Sequence, residues 1–376
     1  MATSFKTLGS GDVQAVRTKL HEAIPITGSI LSGTYKSGDV EINIKNYSHG
    51  MFQSVYDYPY LSSSANHIFD ITAGYCSGSL LSASTSTQNQ QKIQIYNQMA
   101  QVLVGHDTTG SIRRFAEDGG IGSGTKIKDA VFINFARLLS KDEIKKGGFY
   151  IDFSVNPSGS YPGAYGAVKT QVVRVADVSG AASPPSFKSD SPAGEYNILY
   201  ASSSTANTLT TNGTACGLLY YQAGVAVLSS SLFRVAASGG LLSNNLVTTS
   251  TNGEVWLSGS PGQDIVNLLT GSTISSSADG IRAHMQNTSF NNTTELNSTV
   301  YFCRAHNNEF NFSSNPTYLT GSKMRVKTVR TDEPLSFITT VGLYGADNEL
   351  LAVGKVSEPL KKAPSNEFTL RVRLDY

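Results

Sequence analysis

Residues 368–376 read Phe-Thr-Leu-Arg-Val-Arg-Leu-Asp-Tyr. Phe368, Leu370, Val372, Leu374 and Tyr376 fall on one side of an extended chain, while Thr369, Arg371, Arg373 and Asp375 fall on the other. A two-residue period of this kind belongs to a half-covered β-strand and not to a helix, whose apolar face returns every third or fourth residue. The segments 337–344 and 349–356 also read as strands. They are joined by Gly345-Ala346-Asp347-Asn348, residue types that accept the backbone of a hairpin turn. The three segments together predict a C-terminal antiparallel β-meander. Further back, Phe149, Ile151, Phe153 and Val155 line one strand face and Tyr150, Asp152 and Ser154 the other.

Helical spacing is scarce. Asp12 is placed to cap a helix with Val13, Val16, Leu20 and Ile24 on its apolar face and Pro25 at its end. After Thr87, Ile93, Tyr96, Ala100 and Leu103 recur at helical spacing, and Gly105 closes the segment. Ser140 and Glu143 form a capping-box pattern ahead of Gly147 and Gly148. Residues 156–280 differ in texture, dense in Ser, Gly, Ala, Thr and Asn but broken by the apolar runs 196–200 and 218–228. Those runs favour β structure with long loops over a flexible linker, which has no strands to bury. The expected fold is therefore mainly β with a few short helices, in antiparallel, β-sandwich-like sheets. It divides into a mixed α/β portion at 1–155, a Ser/Gly/Thr-rich β insertion at 156–280 and an antiparallel β portion at 281–376, the last either separate or packed with 1–155 as one domain. No fixed-period repeat points to a propeller, solenoid or β-helix.

Composition narrows the function. Only 15% of the 376 residues are charged and the formal net charge is +1, against about 25% charged in ordinary soluble domains. Without an excess of Lys and Arg, nothing attracts nucleic acid or an anionic membrane over long range, so neither is an expected partner. No run is long and apolar enough for a membrane span. The N-terminal stretch has no cationic segment followed by an apolar one, so no secretory signal is expected there. Cys76, Cys216 and Cys303 are odd in number and far apart, which fits buried free thiols better than a disulfide framework or a metal knuckle.

Chemistry has little support. Gly119-Gly120-Ile121-Gly122-Ser123-Gly124-Thr125-Lys126 approaches a phosphate loop, but Thr and Lys stand in the wrong order and 127–135 reads as a strand where a helix is required. It is read as a glycine-rich turn. The six histidines, His21, His49, His67, His106, His284 and His306, show no metal-ligand spacing. No nucleophile motif is present. The segment 57–70 places Asp57, His67 and Asp70 near Tyr56, Tyr58, Pro59 and Tyr60, which is read as an aromatic contact surface before acid-base or sugar-binding chemistry. Lys323, Arg325 and Lys327 alternate with Met324 and Val326, as Arg371 and Arg373 do with their apolar neighbours, giving basic strand faces. No enzyme activity and no cofactor or metal is expected.

Two stretches carry a resemblance. One is NIKNYSHGMFQSVYDYPY at 43–60, continuing through SSSANHIFDITAGY to Tyr75; the other is 307–376, with NEFNFSSNPTYL, SFITTVGLYGADNELLAVGKVSEPLKK and FTLRVRLDY. Both resemble virion structural proteins of contractile-tailed phages of marine bacteria and cyanobacteria. The first stretch is the more specific; the hairpin phrase is generic to tail-fibre and collar proteins. The resemblance implies a non-enzymatic particle component in the tail, neck or baseplate region, located in the virion and associating with other virion proteins and with copies of itself. Candidate subunit-contact residues are Tyr56, Tyr58, Tyr60, Lys323, Arg325, Lys327, Phe368, Arg371, Arg373 and Tyr376. The alternatives are a carbohydrate- or receptor-binding fibre or spike module, which would bind a surface glycan, and a head-decorating protein.

Overall fold

Strands dominate because the alternating and continuously apolar runs find one another as neighbours. A computed structural model describes residues 5–26, 36–37, 40–120, 124–136, 138–139, 143–154, 172–203, 214–233, 269–271, 273–312, 319–320, 323–324, 331 and 333–375. In chain order the strands are β1 Val13–Ile26, β2 Lys36–Ser37, β3 Val40–Glu41, β4 Ile44–Asn46, β5 Gln53–Tyr56, β6 His67–Tyr75, β7 Asp129–Asn134, β8 Glu143–Ile144, β9 Tyr150–Ser154 and β10 Val172–Ala176. They continue as β11 Lys188–Ser191, β12 Gly194–Ser203, β13 Thr214–Tyr220, β14 Val225–Ser229, β15 Met285–Ala305, β16 Leu319–Thr320, β17 Lys323–Met324, β18 Ser336–Tyr344, β19 Leu350–Lys362 and β20 Phe368–Asp375. The longer helices are α1 Asn89–Leu103 and α2 Ile274–His284. The fold is mainly β and antiparallel, as the alternation predicts. It divides into two units, Leu20–Thr294 and Met1–Lys19 with Glu295–Tyr376; β1 and β15 run from one into the other.

In Leu20–Thr294 an antiparallel sheet runs β15–β9–β10–β12–β13–β14–β7–β6–β5–β4, entered by β15 through residues 285–289. The apolar runs at 196–200 and 218–228 are strands of this sheet; 156–171, 204–213 and 234–268 lie outside the described residues. Its middle is buried on both faces. Val131 and Ile133 of β7, Leu219 of β13 and Ala226 and Leu228 of β14 enter one core, while their neighbours Ala130, Phe132, Leu218, Tyr220, Val225 and Val227 enter another. α2 brings Ala278 and Ile281 to the first core; α1 brings Ile95, Tyr96, Ala100 and Leu103 to the second. Burying each Val, Leu, Ile or Phe among them contributes about 1.5–3 kcal/mol.

α1 is the helix expected after Thr87. Gly105, at φ +81°, ends it by returning its N–H to the Ala100 carbonyl at 3.0 Å. The helix lies so close to β6 that a Cβ on Gly74 would stand 2.4 Å from the Lys92 carbonyl oxygen.

Three expectations are corrected. The segment capped by Asp12 is the strand β1, in which Val13 and Leu20 stay exposed and Ile24 alone of the four stripe residues packs against the main core, so the helical stripe is not buried as one face. Pairing with β15 decides the conformation instead. Glu143, expected in a third helix, lies in β8 opposite Thr293 and pairs with Lys146, which also reaches Glu195 at 2.5 Å. The C-terminal strands form no meander: β18 and β19 make the expected hairpin, but β20 leaves it to pair with β15, from Ser298↔Asp375 to Ala305↔Phe368.

In Met1–Lys19 with Glu295–Tyr376 the strands are thinly covered. β20 alternates half-buried and exposed residues along its length, with β15 as its partner. Arg17 and Lys19 pair with Glu295, and Arg304 pairs with Asp12. The hairpin turns at 345–348, where Asn348 takes φ +63° and Gly345 donates its N–H to the Glu349 carbonyl at 2.8 Å. Its base is pinned: buried Lys362 donates to the carbonyls of Asn307 and Ala363 and to Asn311 Oδ1, and Ser336 Oγ donates to the Phe310 carbonyl.

Candidate functional site

Two surfaces gather the sequence-selected residues. The first lies at the β4–β5–β6 end of the sheet in Leu20–Thr294. Lys45, Ser54 and Asp70 are aligned across the three strands by the register Lys45↔Ser54↔Asp70, so their side chains share one face. Ser54 Oγ donates to Asp70 Oδ1 at 2.5 Å, and His67 Nε2 meets the same oxygen at 2.7 Å. The Tyr47 hydroxyl lies 3.2 Å from Ser54 Oγ. Since Ser54 has one proton and Asp70 holds it, Tyr47 is the donor in that contact.

Rings surround this relay. Tyr47 stacks on His49 with an interplanar angle of 6°, Phe52 leans on both, and the Lys45 ammonium sits 4.7 Å from the Tyr47 ring centre. Tyr56 packs against His67 at 5.2 Å and Tyr60 at 6.2 Å. Tyr58 is exposed. Asp57 serves the loop, accepting from the backbone N–H and the side-chain amide of Asn66. Among the described residues, nothing hydrogen-bonds the buried His67 Nδ1.

The structure thus brings Tyr56 and Tyr60 together with His67. Sequence reading missed Tyr47, His49, Phe52 and Ser54 as members of the same face. Their signal was the short β4–β5 register, which becomes visible only once the turn between those strands is placed.

The second lies on β20. Phe368 is half-buried, while Arg371 and Arg373 are exposed. Arg373 reaches Ser298 Oγ at 2.9 Å and Asp375 Oδ1 at 2.6 Å. Ser298 Oγ itself donates to Asp375 Oδ1 at 2.5 Å, and the two hydrogen bonds on Asp375 hold its pKa below the usual value, Ser298 first and Arg373 second. Lys323 lies on β17, opposite Thr320. Arg325, Lys327 and Tyr376 lie outside the described residues.

The remaining ionisable groups form internal ties. Asp177 is buried and accepts from the Tyr221 hydroxyl at 2.5 Å, Asn197 Nδ2 at 2.9 Å and the backbone N–H groups of Gly147 and Gly180. Asp152 and Arg174 form a bidentate pair beside the Tyr150 ring. Buried Arg282 is held by Gln53 and Asp279. Cys76 and Cys216 are buried free thiols; Cys303 is also free but only half-buried. Gly119 and Gly124 take left-handed backbone, consistent with a glycine-rich turn, and β7 follows. Among the described residues, no three His, Cys, Asp or Glu side chains form a metal-holding group, and no helix is long and apolar enough to cross a membrane. No protein-family model, curated protein or solved structure matches the chain.

Proposed function

We propose that this chain is a non-enzymatic structural subunit that works by associating with other chains and, on the resemblance of 43–75 and 307–376, that the assembly is a tailed-phage virion. The observation that carries the assembly reading is the β18–β19 hairpin. Its 9 and 13 strand residues pair with each other and with no third described strand. Two strands alone are marginal in water; stable sheets need a third strand or a covered apolar face. Phe337, Tyr344, Leu350, Leu351 and Val353 are nonetheless exposed by 46–67%. Side chains of this kind are covered at an interface. The test is light scattering on the purified full chain. A stable oligomer that loses mass in Phe337→Ser is expected; a monodisperse monomer contradicts the reading.

A second reading is favoured by the Tyr47–His67 face: a glycan-binding module. Aromatic faces beside a carboxylate suit the apolar and hydroxyl sides of a pyranose. Asp70 is only partly exposed, and both of its contacts use Oδ1. Saturable binding on a glycan array, lost in Tyr47→Ala and Asp70→Ala, is the expected result on this reading; an array without signal contradicts it.

A further inference from the structure

Strand edges decide which partner a sheet accepts, and the two edges of the β18–β19 hairpin are made differently. β19 carries Lys355, Glu358, Pro359, Lys361 and Lys362, the charges and proline that block strand addition. It also absorbs the irregularities of the pair. Between Ile338 and Thr340 the partner residue moves from Leu360 to Lys355, and between Leu343 and Tyr344 it moves from Ala352 to Leu350. The extra residues all belong to β19.

β18 is the opposite case. Ser336-Phe337-Ile338-Thr339-Thr340-Val341-Gly342-Leu343-Tyr344 has no charge and no proline, is rich in β-branched and aromatic residues, and runs without an inserted residue. Among described strands only β19 pairs with it. Apart from Gly342, it has the composition of an edge that adds another strand.

We infer that β18 pairs antiparallel with β18 of a second copy, about a two-fold axis near Thr340, to make a continuous β19–β18–β18–β19 sheet. This rests on the assembly reading and names its partner. The sequence of β18 is self-complementary in one register. Centred on Thr340, the pairing sets Phe337 against Leu343 of the second copy, Ile338 against Gly342 and Thr339 against Val341; no like charges meet. Aromatic-aliphatic and β-branched neighbours of this kind favour pairing. β20 fails the same test, because registers centred on Arg371, Val372 or Arg373 each set arginine against arginine. A two-fold contact of this kind is self-complementary and closed, and the net charge of +1 adds almost no repulsion between copies.

The experiment uses the full chain with Cys303→Ser, since Cys76 and Cys216 are buried. Thr340→Cys places one thiol beside its own symmetry mate, within the short Cα separation a disulfide requires. A disulfide-linked dimer under native oxidation is expected, and Ser357→Cys on β19 is expected to give none. Separately, Thr340→Lys sets lysine against lysine and is expected to weaken self-association at least tenfold by light scattering, while Ser357→Lys leaves it unchanged. An oligomer that Thr340→Lys does not weaken and Thr340→Cys does not link overturns the pairing but leaves the assembly reading standing. A chain that is monomeric at every concentration overturns both. The crosslink also decides the matter if Thr340→Lys fails to fold.

Discussion

Leu20–Thr294 and the pair of segments Met1–Lys19 and Glu295–Tyr376 use the same strand-forming residues, yet they satisfy them differently. In the first, β7, β13 and β14 are buried on both faces, and even its charges are answered internally, Asp177 by four donors and Asp152 by Arg174. In the second, β18, β19 and β20 alternate half-buried and exposed residues along most of their length, and Leu351 is 67% exposed. Phe337 and Val353 also stay more than half exposed. Where a strand is half covered, its exposed half states what kind of partner it needs.

The sharpest way to break this comparison is to remove equal apolar volume from each side. Phe132→Ala opens a cavity among Tyr96 and Phe115 and is expected to cost about 3–5 kcal/mol in denaturant unfolding. Phe337→Ser is expected to change monomer stability by less than about 0.5 kcal/mol while lowering the mass seen in light scattering. Equal losses at the two sites would erase the distinction. Next in size, Asp177→Ala strands the Tyr221 hydroxyl, Asn197 and two backbone N–H groups, for an expected loss of about 2–4 kcal/mol.

A pH series sharpens the internal side. Burial holds the Lys92 ammonium down to about 8, whereas an unfolded lysine titrates near pH 10.4. Between those values the unfolded chain binds more protons, so stability rises with pH, by on the order of 3 kcal/mol. Burial raises Tyr96, Tyr196, Tyr220 and Tyr221 above their ordinary value. Unfolded tyrosines therefore ionise first, and stability falls again above about pH 10. Unfolded cysteine and tyrosine lose protons over the same range while buried Cys216 and the tyrosines keep theirs, so the check is a difference: from pH 7.5 to 9.8 the urea midpoint of the parent chain is expected to gain on that of Lys92→Met. The smallest expected effect is Arg373→Ala, at most about 1 kcal/mol, because the arginine is exposed and its pair with Asp375 is screened.

Much of the fold was legible in particular residues. The alternation at 368–376, the Gly345–Asn348 turn and the Ile93–Leu103 spacing each became the element they predict, because local pattern and tertiary surroundings agree there. The Asp12–Ile24 stripe misled because periodicity records which residues are apolar, not whether anything covers them; Val13 and Leu20 are exposed. β20 left the expected meander because alternation specifies a strand but not its neighbour, and β15 lies far away in sequence. Of the aromatic face, Tyr56 and Tyr60 were visible as a run, while Tyr47, Ser54 and Asp70 meet only through strand register.

Amide hydrogen exchange across a dilution series tests the central distinction most directly. The account predicts that 336–344 gains protection as protein concentration rises while β6, β7, β13 and β14 stay equally protected throughout. Protection of 336–344 that is already full in a monomeric sample at the lowest concentration would contradict it.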